Sequence, residues 1–215
     1  MNTIHPIVVP VTSLPLMWFC GQATYMESGP SSAVPSEPCP RCAKPYHYDA
    51  HRVPFPIEID RSFGIVGDLL TNGSTGIVLS RKAWLSMRRG GIKGLDDAVG
   101  IESIKKLPKS CPHSKFIFIN PSIGPWRIDY AASGVMTDGP CCDTCGAPCA
   151  SFDRLVVEPE SFDENAIDIC IPQNMRAQLI CSYRFMDFVK RKKLIGFAFV
   201  PGDAFRFDQF KSWEM

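Results

Sequence analysis

Val78-Leu-Ser-Arg-Lys-Ala-Trp-Leu-Ser-Met-Arg-Arg-Gly-Gly-Ile-Lys-Gly-Leu95 aligns without a gap on Ile180-Cys-Ser-Tyr-Arg-Phe-Met-Asp-Phe-Val-Lys-Arg-Lys-Lys-Leu-Ile-Gly-Phe197, at a constant offset of 102 residues. Both copies carry the same physical grammar. A short apolar strand (Ile77–Leu79, Leu179–Cys181) ends in a serine, Ser80 or Ser182, whose hydroxyl suits the first free N–H groups of a helix. Apolar residues then recur at i, i+3 and i+4: Ala83, Trp84 and Met87 in one copy, Phe185, Met186 and Val189 in the other. Each helix ends on a basic turn, which complements the negative end of the helix dipole. Ile92-Lys-Gly94 and Leu194-Ile-Gly196 then lead into another extended segment.

The cysteines keep nearly the same register. Cys39-Pro-Arg-Cys42 precedes Ser80 by 38 residues, and Cys142-Asp-Thr-Cys145 precedes Ser182 by 37. Each half therefore reads as a cysteine knuckle, a region of strands and loops, then strand, serine, helix and strand, which is the pattern of an internal duplication. A C-x-x-C turn presents two sulfurs on one side of a tight bend, half of a tetrahedral zinc site with ligands at about 2.3 Å. Two such turns make a closed four-thiolate site from Cys39, Cys42, Cys142 and Cys145. Cys141 and Cys149 crowd the second knuckle, and His47, His51 and His113 are further candidate ligands, so the exact set stays open. The other use of C-x-x-C, redox exchange, needs a knuckle at a helix N-terminus; neither Cys39 nor Cys142 is followed by a helical period. Cys20, Cys111, Cys170 and Cys181 lie in or beside apolar runs and read as small buried hydrophobes.

The remaining composition bounds the function. With 23 basic and 22 acidic residues among 215, the formal net charge is +1, so no general electrostatic footprint of a nucleic-acid or membrane-surface binder exists. No run reaches the roughly 18 apolar residues of a membrane span. The apolar N-terminus lacks a basic flank and is broken by Pro6, Pro10 and Pro15, so it does not read as a secretory signal, and a cytoplasmic location is expected. Ile7–Val11, Leu16–Cys20, Lys115–Asn120 and Trp126–Tyr130 read as strands. No phosphate-binding, dinucleotide, zinc-protease or nucleophile-elbow motif occurs. The carboxylates Glu158, Glu160, Asp163 and Glu164 cluster around Pro159, as a solvated surface or an acidic patch facing a basic partner.

Taken together, the knuckles and the repeat resemble the double-CXXCG motif family of bacterial immunity-like proteins. The resemblance covers most of the chain after Pro38. It rests on Cys39-Pro-x-Cys42, on Ile77-Val-Leu-Ser-Arg81 with Gly94, and on Cys142-x-x-Cys145-Gly146. Ser161-Phe-Asp163, Asp168-Ile-Cys170, Tyr183-Arg-Phe185 and Gly196-Phe-Ala-Phe-Val-Pro201 extend it. Ala43 stands where the first knuckle of the family motif has glycine. The resemblance implies a non-enzymatic immunity protein that neutralises a cognate polymorphic toxin domain by stoichiometric binding, without nucleic acid or membrane. A zinc-dependent nucleic-acid-binding or regulatory module is the alternative. The expected fold is α+β and strand-rich, a single domain spanning 1–215. It is built from two pseudo-symmetric halves (about 1–125 and 126–215) with short helices, joined by a structural zinc. Tyr46, Tyr48, Trp126 and Trp213 are candidate anchors for a partner.

Overall fold

The structure is a computed structural model that describes residues 8–10, 23–27, 33–34, 38–43, 50–51, 53–60, 66–71, 76–109, 111, 115–136, 142, 144, 151–163, 165–175, 178–197, 199–202 and 207–208. It is a mixed, strand-rich fold with three helices among those residues. Six strands curl into a closed barrel: β2 (Ala23–Glu27), β5 (Phe55–Asp60), β8 (Asp97–Lys105), β9 (Phe116–Asn120), β7 (Ile77–Ser80) and β6 (Leu69–Thr71), with β6 returning to β2. A four-stranded sheet runs β11 (Ile169–Cys170), β12 (Ile180–Cys181), β1 (Val8–Pro10), β13 (Phe199–Pro201). Two small ladders join β3 (Ala33–Val34) to β4 (Ala50–His51), and β10 (Ser151–Phe152) to β14 (Phe207–Asp208).

Strand periodicity explains why β7 and β9 read as nearly unbroken apolar runs. Successive side chains point to opposite faces, and both faces are covered here. Val78, Phe116 and Phe118 join Phe55, Ile57 and Ile59 in one cluster. Their neighbours Ile77, Leu79, Ile117 and Ile119 pack outward with the helices.

That outer layer contains α1 (Arg81–Arg89) and α3 (Tyr183–Arg191). Ser80 caps α1, its hydroxyl accepting from Ala83 N, and Ser182 caps α3 through Phe185 N. Ala83 and Met87 of α1 share a core with Phe185, Phe188 and Val189 of α3, and with Leu69, Leu79, Ile169 and Cys181 from the strands beneath. Each fully buried side chain of this size contributes about 2 kcal/mol.

Two buried aspartates tie these segments to one another. The Asp68 carboxylate accepts from Ser80 Oγ at 2.5 Å and from Ile195 N at 3.0 Å. Asp168 accepts from Ser182 Oγ at 3.3 Å and from Lys93 N at 2.8 Å. The backbone repeats the exchange: Asp68 N–H donates to Ile195 O, and Asp168 N–H to Lys93 O. Each aspartate thus holds the serine of its own hairpin and the post-helix turn of the other.

The expected strand over Trp126–Tyr130 is corrected. Only a single bridge, Ile128 to Val157, forms there. Asn174 takes the place of a strand partner, its amide accepting from Ile128 N and donating to Ile128 O. Asp129 then caps the four-residue helix α2 (Tyr130–Ser133), and Gly134 ends it in the left-handed conformation at φ 63°. The cap and the glycine were both legible as helix punctuation. Trp126 anchors a second, loop-rich core with Ile128, Leu155, Met175 and Ile180. The expectation at Lys115–Asn120 holds as β9. Of the two N-terminal strands expected, Ile7–Val11 is represented by β1, and Leu16–Cys20 lies outside the described residues.

Candidate metal centre

The first knuckle is a tight turn over residues 39–42. Its closing bond runs from Ala43 N–H to Cys39 O at 2.8 Å, and this bend places Ala43 in the left-handed region at φ 57°. That is the conformation glycine adopts without steric cost and alanine adopts at about 1 kcal/mol. The departure from the motif therefore leaves the turn intact and adds local strain.

Across the chain, Cys142 meets this turn. The sulfurs of Cys39, Cys42 and Cys142 all lie within 4.8 Å of one another. Cys39 Sγ and Cys142 Sγ are 3.7 Å apart, far beyond the roughly 2.05 Å of a disulfide. A tetrahedron with arms of about 2.3 Å has edges of about 3.8 Å, so this spacing is that of two thiolates on one tetrahedral ion. Cys39 and Cys142 are buried and Cys42 is half-buried, which keeps solvent from competing for the ligand positions. Three sulfurs from residues 103 positions apart can thus hold a metal ion. Cys145, the fourth expected ligand, lies outside the described residues, as do Cys141, Cys149, His47 and His113.

His51 is not gathered into the cluster. It is buried in the barrel, its ring stacked on Phe55 at 3.8 Å and edge-on to Phe118 at 4.7 Å. Its backbone exchanges hydrogen bonds with the Asn120 side chain. Cys170 and Cys181 are buried as expected, while Cys111 sits half-buried against the barrel core and Cys20 is outside the described residues. Burial pushes the Cys170 thiol up to about 12, against a smaller lowering by a backbone hydrogen bond at Gly124. Cys181 is raised well above its ordinary value, by burial first and then by Cys170 and Asp168 nearby. Both stay protonated and inert at neutral pH.

The proposed partner anchors fare unevenly. Trp126 is fully buried, with its Nε1 donating to Asp163 O at 3.2 Å, so it is core and not an anchor. Tyr46, Tyr48 and Trp213 lie outside the described residues. Within the carboxylate cluster, Glu158 is engaged by Arg127 at 3.0 Å, and Asp163 turns back to accept from Asn165 N. Glu164 is outside the described residues.

Sequence reasoning missed the two buried aspartates. Asp68 stands 12 residues before its serine and Asp168 stands 14 before its own. A gapless alignment cannot register them, because the intervening hairpins differ in length. Among the described residues, no helix is long and apolar enough to cross a membrane. No family model matches the chain, and no curated protein matches it either.

Proposed function

We propose that this chain is an immunity protein that binds a cognate polymorphic toxin domain and neutralises it by stoichiometric inhibition. The carrying observation is the cysteine cluster. It joins the first knuckle to Cys142 of the second at tetrahedral spacing, with the Cys39-Pro-x-Cys42 bend retained in the left-handed form that a motif glycine would take. With Cys145 as fourth ligand the site is a closed four-thiolate zinc. Such a centre has no position for water or substrate and serves to staple the fold. Function then resides in the surface the staple holds in place, which is where a binder meets its partner.

The matching aspartate–serine–helix arrangements support the further reading that the chain is one domain. Its halves, about 1–125 and 126–215, would descend from a duplication and face each other across a pseudo-twofold axis. In this reading the protein works in the cytoplasm, where an incoming or newly made toxin acts.

The test is co-expression with the toxin domain encoded by the adjoining gene. Restored growth with a purified complex of fixed stoichiometry supports the proposal. Rescue by substoichiometric protein, with turnover of a small molecule, refutes it. Zinc is checked separately: metal analysis is expected to return one zinc per chain, and stripping it should unfold the protein, since metal binding and folding are coupled.

A further inference from the structure

The near-neutral total charge conceals an uneven distribution. Residues 81–96 and 183–195 carry five basic side chains each, against a single acid in each segment, Asp96 and Asp187. Ten of the 23 lysines and arginines thus accompany the two outer helices, and the rest of the chain is left acidic, with 13 basic residues against 20 acidic. All ten are exposed. The helices lie side by side over one core. Arg184 at the start of α3 donates to Gly91 O just past the end of α1, and a side chain at Gly90 would strike the Phe188 ring.

Two features suit this face to a protein partner. Arg88 is fixed by Asp96 at 2.7 Å, and Arg184 by Gly91 O and by buried Asp168 at 3.4 Å, so less side-chain freedom is lost on docking. Apolar groups also accompany the charge: Tyr183 is 40% exposed and Ile195 47%. Beside Arg81, β8 and β9 part company after the Gly100–Ile117 pair. This leaves a cleft of about 600 Å³ lined by Arg81, Trp84, Ile101, Leu107 and Lys115, with Glu102 in its wall. A cleft that sets apolar side chains (Trp84, Ile101, Leu107) beside cationic ones (Arg81, Lys115) can receive a protruding anchor side chain. The apolar groups interleaved with this charge favour a protein surface over a nucleic-acid backbone, whose contacts are made chiefly through phosphates.

We infer that the α1–α3 face is the docking surface, and that its occupant is an acidic surface of the partner protein presenting one apolar anchor. This rests on the immunity reading and names the face through which it operates. Complementary charge acts mainly on the association rate.

The experiment uses the full zinc-loaded chain, the toxin domain encoded beside it, a poly-glutamate peptide as a charge-only probe and a short mixed-sequence DNA duplex. Arg89→Glu/Lys190→Glu is expected to slow association with the toxin about tenfold at low salt, with a smaller change in dissociation. Arg89→Gln/Lys190→Gln, which spares the helix ends a reversed charge, should give an intermediate rate at unchanged melting temperature. The control Arg154→Glu should match wild type, and poly-glutamate should slow wild-type association with the toxin while DNA does not. Wild-type rates in both double variants, with the complex still formed, would sink the docking face alone. Tighter binding of DNA than of the toxin overturns it in favour of a polyanion site. Absence of any complex with wild-type protein defeats the immunity reading and this inference with it.

Discussion

The hairpin β6–β7 with α1 and the hairpin β11–β12 with α3 are built alike and backed differently. In each, an aspartate accepts from the capping serine and from the turn that follows the other helix. In each, the second strand alternates between the shared helical core and a second interior. For β7 that interior is the barrel, reached by Val78 together with Leu70 of β6. For β12 it is the loop-rich core around Trp126, reached by Ile180 together with Cys170 of β11. Capping and the post-helix glycine are short-range effects, so they survive in both settings. The hydrophobic face behind each hairpin depends on what other chain segments bring to it, and there the two diverge.

The sharpest way to break this likeness is at the turns that interlock the units. Gly94 has φ +100°, and a Cβ there would lie 1.9 Å from Ile169 O; Gly196 has φ +87°, and its Cβ would meet Leu69 O at 3.0 Å. Gly94→Ala should therefore destabilise by on the order of 4 kcal/mol and Gly196→Ala by about 2 kcal/mol. Denaturant titration of the two variants reads the difference, and equal costs would show that the interlock is not tighter on one side.

Next come the aspartates. Asp68→Ala and Asp168→Ala each strand one buried and one part-buried donor, at a cost of about 2 kcal/mol. Asp168 also faces Arg184, but that arginine is 47% exposed, so screening limits its extra contribution to less than about 1 kcal/mol. A double-mutant cycle should show coupling between the two, because each aspartate supports the turn that the other unit packs against.

The units also differ in their response to alkali. Cys170 and Cys181 occupy the strand positions where the first hairpin has Leu70 and Leu79. Their folded thiols are raised above an ordinary value of 9.0, to about 12 for Cys170 and well above the ordinary value for Cys181. The unfolded chain thus ionises first. The stability they contribute is complete below pH 9.0 and is lost as pH rises toward the folded values, at about 1.4 kcal/mol per pH unit for each thiol. Unfolding curves collected above that pH should show this slope in the native protein and a shallower one in Cys170→Val/Cys181→Val.

Ser80→Ala and Ser182→Ala should each cost about 1 kcal/mol, with Ser80 the costlier because its bond to Asp68 is 2.5 Å and that of Ser182 to Asp168 is 3.3 Å. The smallest effect is a gain. Ala43→Gly should stabilise the protein by up to about 1 kcal/mol by relieving the left-handed alanine, with the metal content measured by elemental analysis the same as in wild type.

From its residues alone this chain announced both serine caps, both amphipathic helices, β9, and a first knuckle poised to present two sulfurs. All are local: a cap needs only the next three residues, and an amphipathic face only a period. Tertiary structure decided what no short window contains. It closed six strands into a barrel and brought Cys142 to within 3.7 Å of Cys39 across 103 residues. It buried His51 between aromatic rings instead of at the metal centre, and it replaced a strand after Trp126 with the amide of Asn174. It also gave Asp68 and Asp168 their reciprocal partners. The physical reason is the same in each case: burial and partner choice are set by chain segments distant in sequence, and hairpins of unequal length erase the register by which such partners could be read.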